Sequence, residues 1–442
     1  MWECHESYGK VVRYAPNRIL INSARAVNDV YNHNGSLLKS QAYDALVHKA
    51  PNILTLRHKK LHNRRRRVLS QALSDDSIMA YQPRILEKVW KFVRVLSDIP
   101  ENDEEEKWSA PIDVARLCDY LTFDIVTSIV FSSDCDMLGK EEHRGAVDAI
   151  LNSNVRMAVL FQYPALRYWK IHKQFFPAAI AARSVLISFV TRLLRDRAKH
   201  AERKGLTFND LYSFLAKSKE PETDQGFSPN ELAAEATTLI VAGADTTSTA
   251  IAGIFFYLAK HPEYQERARV EVKECFSRPE EIVLGGKLSA CKFLSACINE
   301  AMRLSPPVGS SLWRESQSNG VMVDNVPIPQ GYDVGVGIWS VHHDAKHYYQ
   351  PFAYRPERWL AQSQPARDTI LAAYLPFSRG SRSCIGKSIA TAELMLTLAV
   401  ALWKLEWRFT HDAAPDKDEN FEVKEHITGQ KEGLNLQVRA LH

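Results

Sequence analysis

The sequence contains no Gly-x-Gly-x-x-Gly fingerprint, no Cys-x-x-Cys pair and no run of 18 uncharged apolar residues. The first absence excludes a nucleotide-binding βαβ unit, so any redox step must draw its electrons from outside the chain. The second, together with an odd count of seven cysteines, argues against a disulfide framework and fits a reducing compartment. The third leaves nothing expected to span a bilayer, and no signal peptide is visible. Net charge is small: 56 basic against 52 acidic residues give +4, too mild an excess for nucleic acid. The main local excess, Arg64 to Arg67, is of a kind that usually forms a solvated face. Linkers and internal repeats are missing too. Length alone would allow about three domains, yet the expectation is a single large domain over residues 1–442, mainly α with a small β portion. At 45% hydrophobic residues the chain can bury a large core and a cofactor. Its opening, Met1-Trp-Glu-Cys-His5, is abrupt and reads as a chain that begins inside a larger protein.

What is present centres on Phe377-Ser-Arg-Gly380-Ser-Arg382-Ser-Cys384-Ile-Gly386, which leads into an apolar helical run from about Ser388 to Leu402. Cys384 stands at a helix mouth, where free N–H groups and the dipole favour thiolate, the metal-binding form. Gly380 and Gly386 let the backbone approach a flat ligand. Arg382 offers a planar fork to a carboxylate. Phe377 can cover the sulfur. Together these suit a thiolate on a metal whose own ligand carries carboxylates, most simply haem b, iron protoporphyrin IX.

Upstream, Ser228-Pro229 can cap a helix running to about Lys260. Within it, Ala242-Gly243-Ala244-Asp245-Thr246 places two small residues beside an acid and a hydroxyl. The expected result is a groove with room for dioxygen and a proton relay, with Thr246 bonding back to the i−4 carbonyl. Glu300 and Arg303 share a helix face, and Arg358 supplies a second cation downstream. Tyr8 to Pro16 and Arg18 to Ile21 read as a hairpin, with further short strands near Val321, Val326, Val334, Leu405 and Leu434. Adjacent His342 and His343 point apart and make a poor shared metal site.

The pattern Phe-x-x-Gly-x-Arg-x-Cys-x-Gly resembles the signature of the haem-thiolate monooxygenases, the cytochrome P450 family. A chance match in a chain of this length is on the order of one in ten thousand. The Ala-Gly-Ala-Asp245-Thr246 groove, Glu300-x-x-Arg303 and Pro356-Glu-Arg358 follow in family order. The resemblance implies the cytochrome P450 fold and several roles. Cys384 would hold the iron. Phe377, Gly380, Gly386, Ala242 and Gly243 would contact the cofactor. Arg66, Arg314 and Arg382 would reach its propionates, with His62 in the place where the family often carries Trp. Asp245 and Thr246 would handle protons and bound oxygen. Glu300, Arg303 and Arg358 would form a buried network that supports the Cys loop. Val308, Gly309 and Ser310 would face substrate; being small and neutral, they admit a bulky, largely apolar molecule. Arg64, Arg65 and Arg67 would face solvent or an acidic partner.

The aromatic and basic stretch Phe161 to Pro177 matches the family's lid region and can touch a membrane surface. Pro351-Phe-Ala-Tyr-Arg-Pro-Glu-Arg-Trp-Leu360 is most similar to fungal secondary-metabolism members. The implied activity is oxidation of a small molecule with O2 and electrons from a separate NADPH-cytochrome P450 reductase. The implied setting is the cytosolic face of the endoplasmic reticulum, with an N-terminal anchor outside this chain. Two alternatives stay open: desaturation, cyclisation or coupling without oxygen insertion, and a haem sensor without turnover.

Overall fold

A computed structural model describes residues 1–32, 37–98, 108–167, 172–204, 210–219, 225–317, 319–360, 363–416 and 418–441. The acidic run Glu101 to Glu106 and residues 168–171 of the aromatic stretch lie outside them. Sixteen α-helices and twelve short strands are described, a mainly α architecture as expected.

The helix Pro229–Lys260 lies at the centre. Ser228 and Glu231 close a reciprocal capping box at its start, with proline in the first turn. Its buried residues cover most of its circumference because Val114–Phe131, Lys292–Leu304 and Lys387–Lys404 all pack on it. The helix Val114–Phe131 starts two residues later than Ile112: Asp113 caps it, while Ile112–Asp113 pairs with the strand Asn435–Ala440. Gly243 sits where these two helices meet. A Cβ there would lie 3.0 Å from Val126 Cγ2, so Gly243 serves the close approach of the two helices.

The predicted hairpin forms as Val11–Ala15 and Arg18–Ile21. It joins Asp333–Gly335, Arg314–Ser316 and Leu37–Lys39 in one five-stranded sheet. A smaller sheet orders Ile112–Asp113, Asn435–Ala440 and Leu405–Arg408. A separate hairpin, Lys424–His426 with Thr428–Gln430, bridges two parts of the core. Its Gly429 N–H donates to Pro307 O at 2.6 Å, and its Gly429 O accepts from Thr249 Oγ1 at 3.0 Å.

Two helices do meet the length and hydropathy needed to cross a membrane, against the expectation from unbroken apolar runs: Pro177–Lys199 and Pro229–Lys260. A strict run misses them because Arg183 and Arg192 interrupt the first and Asp245 the second. The second is a core helix, 72% of its apolar window being buried within the protein, against 28% for the first.

Glu300 is fully buried and serves five donors. Arg303 supplies two at 3.0 and 2.9 Å, Arg358 Nε one at 2.9 Å, Trp359 Nε1 one at 2.8 Å and the Arg355 N–H one at 3.0 Å. Arg303 also donates to the carbonyls of His342 and Pro351 at 2.8 and 2.7 Å. His342 answers in kind: Nδ1–H donates to Arg303 O at 3.1 Å while Nε2 accepts from the Leu375 N–H at 3.0 Å. Every charge in this network therefore has its partner inside the protein.

Candidate functional site

Two backbone bonds close the loop around Cys384: its N–H donates to Phe377 O at 2.8 Å, and Ser383 N–H to Gly380 O at 3.0 Å. The turn needs positive φ at Ser378 (55°) and Gly380 (68°). A Cβ on Gly380 would also overlap the Tyr31 carbonyl. Gly380 thus accommodates the protein's own backbone at Tyr31. Gly386 has an ordinary φ of −86° and precedes the helix Lys387–Lys404. Phe377 is half-buried against the core, with the Lys387 ammonium 6.0 Å from its ring.

The Cys384 side chain is exposed, although the helix after its loop is largely buried. The thiol is thus open to solvent on one side and flanked by protein on the other. Its pKa moves opposite to expectation. Burial raises it, and the Gly386 N–H, Arg66 and Lys387 offset that only in part. Desolvation outweighs the helix terminus here.

Around the loop five basic side chains converge. Arg66, on the helix Lys59–Ala72, donates to Ser383 O at 2.7 Å and Ser383 Oγ at 3.1 Å. Arg382 donates to the carbonyls of Leu56 and Arg57 at 2.7 and 2.9 Å. Arg314 is buried and bonds the carbonyls of Leu312 and Trp313 at 2.9 and 3.2 Å. Lys39 pairs in register with Arg314 across the sheet and donates to Leu54 O. His62 is buried beside them.

These groups repel one another. Burial, then Arg314, Arg382 and Arg66, push Lys39 far below its ordinary pKa, with Glu235 a weak offset. Burial and Arg314 bring Arg382 to about 10. Burial, Arg382 and Lys39 bring His62 to about 3, so it is neutral at physiological pH. A crowded set of cations held on carbonyl oxygens, with scarcely a carboxylate among them, fits a ligand that brings its own negative charges. The paired propionates of haem have that chemistry, and the sulfur of Cys384 is a suitable iron ligand. Lys39 escaped the sequence reading; a lysine in a three-residue strand, Leu-Leu-Lys, carries no signal. Arg65 departs from its expected solvent-facing role: it pairs with Glu231 and, at 3.0 Å, with buried Glu235.

On the long helix, Ala242 is exposed and Thr246 half-exposed, a gap in an otherwise covered surface. The Thr246 hydroxyl donates to Ala242 O at 2.7 Å. Asp245 points away and is buried. Its Oδ2 accepts from Thr428 Oγ1 and, at 3.3 Å, from Asn154 Nδ2. Burial raises its pKa to about 6, against the pull of Lys431 and Thr428. Next to it, Lys431 pairs with Asp119, and both bond Ser248 Oγ, at 2.8 and 2.7 Å. None of Asn154, Thr428, Lys431 or Asp119 was singled out from the sequence, because they come from three distant segments. Val308, Gly309 and Ser310 lie beneath the hairpin Lys424–Gln430. The site there is not neutral: the Glu425 carboxylate rests against Gly309 and Ser310.

The family model for cytochrome P450 matches residues 1–434. Among curated relatives, the cytochrome P450 monooxygenase poxM of Penicillium oxalicum is 41% identical over 441 residues, covering 100% of this chain and 85% of that protein. The cytochrome P450 monooxygenase AKT7 of Alternaria alternata is 37% identical, covering 99% and 87%. A cytochrome P450 monooxygenase of Gibberella zeae is 40% identical, covering 93% and 96%. With a matching family model over nearly its whole length and relatives of this identity, the chain belongs to the cytochrome P450 family of haem-thiolate monooxygenases.

Proposed function

We propose that this chain is a haem-b domain that oxidises a bulky, largely apolar small molecule in fungal secondary metabolism. The observation that carries this reading is the coincidence of an accessible Cys384 sulfur with a crowded set of cations held on backbone carbonyls. Cys384 would hold the iron through sulfur. Arg66, Arg314, Arg382 and Lys39, with neutral His62 as an N–H donor, would receive the propionates. When bound, haem with a thiolate ligand supplies the activation of dioxygen.

The chain's residues do the rest. Ala242 keeps the helix surface open beside the cofactor. The Thr246 hydroxyl, tethered to the Ala242 carbonyl, offers its lone pairs to a neighbouring donor. Asp245, with a pKa near 6, takes up and releases protons close to neutral pH. Asn154 and Thr428 hold its carboxylate in one orientation. Phe377 would help shield the sulfur once the cofactor covers its open side. Glu300, Arg303 and Arg358 brace the segment that leads into the loop.

Electrons would come from NADPH-cytochrome P450 reductase. An open groove of about 690 Å³ lined by Arg66, Arg67 and Ser381 lies beside the Cys loop and suits an acidic docking surface. Exposed Tyr163, Phe175 and Val185 suit contact with the cytosolic face of the endoplasmic reticulum membrane. The test is the carbon monoxide difference spectrum of the reduced protein. A red-shifted, sulfur-ligated band is expected, and Cys384→Ser should abolish it; a normal band in that variant overturns the reading. Product mass with one added oxygen atom would separate insertion from desaturation or cyclisation.

A further inference from the structure

Glu425 sits on the first strand of the hairpin Lys424–Gln430, yet its side chain is used by neither neighbouring strand. Its carboxylate lies over the Pro307–Ser310 segment, where a Cβ on Gly309 would overlap it. Burial raises its pKa, and the Ser310 hydroxyl with the Gly309 and Ser310 amides offsets that only in part. Protein crowds it, as burial's upward push on its pKa attests, and still it is exposed to solvent. Gly309 and Ser310 are among the residues expected to face substrate, so the carboxylate against them lies on the wall of the proposed substrate cleft.

A carboxylate accepts about four hydrogen bonds. The Gly309 and Ser310 groups take up part of that capacity, and the exposed remainder is open toward the cleft. A surface that small neutral residues would make indifferent to charge is thereby given a fixed anion.

We propose that Glu425 is a specificity residue that selects a substrate carrying a positively charged nitrogen on an apolar frame. This refines the proposed function and rests on it. A cation in the cleft supplies the counter-charge that the backbone donors only partly replace, and an anionic substrate meets an unscreened like charge.

The test uses purified haem-loaded protein and three probes of one chain length: decyltrimethylammonium, 1-decanol and decanoate. The quaternary ammonium cannot ligate iron, so its binding reports the cleft alone. Affinities come from calorimetry and from the shift of the haem band. Wild type should bind the cation about tenfold or more tighter than decanoate. Glu425→Gln keeps an acceptor for the Gly309 and Ser310 donors, so it should retain haem and narrow that gap to about twofold. Glu425→Lys should reverse the order. Equal or tighter decanoate binding by wild type, undetectable binding of the cation, or an unchanged ratio in Glu425→Gln overturns the proposal. Loss of the sulfur-ligated carbon monoxide band in wild type would instead overturn the function beneath it, so the two failures are told apart.

Discussion

Thr428 donates its hydroxyl to Asp245 Oδ2 across 183 residues of sequence. The hairpin that touches the Pro307–Ser310 segment therefore also sets the environment of the buried acid. Asp245 keeps its proton to about pH 6 in the folded chain, because burial outweighs Lys431 and Thr428, whereas an unfolded aspartate releases it near 3.8. The folded state then binds more protons in that window, so stability falls as pH rises from about 4 to about 6 and is level above.

Asp245→Asn removes this fall. Two units correspond to about 3 kcal/mol, so the variant should gain on wild type by up to that amount between about pH 4 and about pH 7.5. Denaturant midpoints of both proteins at the two pH values measure it; parallel curves would show that Asp245 does not titrate in this way.

Thr246→Ala removes a hydroxyl at the opening in the long helix and leaves its backbone bonds alone. Reductant consumption should persist while product falls about tenfold and hydrogen peroxide takes up the difference. Thr246→Ser keeps the hydroxyl and should restore most of the product. Peroxide and product yields per NADPH decide it, and unchanged coupling in Thr246→Ala would remove the relay role.

Glu300→Ala leaves Arg303 and Arg358 without their shared carboxylate. Losing one partner of a buried ion pair typically costs ~3–5 kcal/mol. Little haem-loaded protein is expected, read as the ratio of haem to protein absorbance. Trp359→Phe removes one of the five donors to Glu300 and should cost about 1–3 kcal/mol while haem loading persists. Normal loading in Glu300→Ala would end the argument that this network supports the loop.

The sequence was informative where chemistry is local. The loop around Cys384, the capped helix from Pro229 and the i,i+3 pair Glu300–Arg303 all depend on neighbours within a few positions, and the structure has each of them. It was silent where contacts are distant. Glu425 and Lys39 gain their importance only from segments brought to them by folding. One local inference also went astray for a tertiary reason. The thiol of Cys384 was placed by its helix terminus alone, and the bulk of protein around it proved stronger.

Lys39 offers the sharpest separation of cofactor from scaffold. Its ammonium is buried among Arg314, Arg382 and Arg66, so without an anion it destabilises the fold through repulsion and lost hydration. Lys39→Met keeps the aliphatic stem and removes the charge. The haem-free variant should therefore be more stable than haem-free wild type, by on the order of 1–2 kcal/mol. With haem bound the sign should reverse, because a propionate loses a counter-charge. Urea midpoints with and without haem, together with the rate of haem transfer to an acceptor protein, read both halves. A cation that merely packs against Tyr43, whose ring lies 4.8 Å from the ammonium, would destabilise both forms alike when replaced. That common shift would sink the assignment of Lys39 to the cofactor.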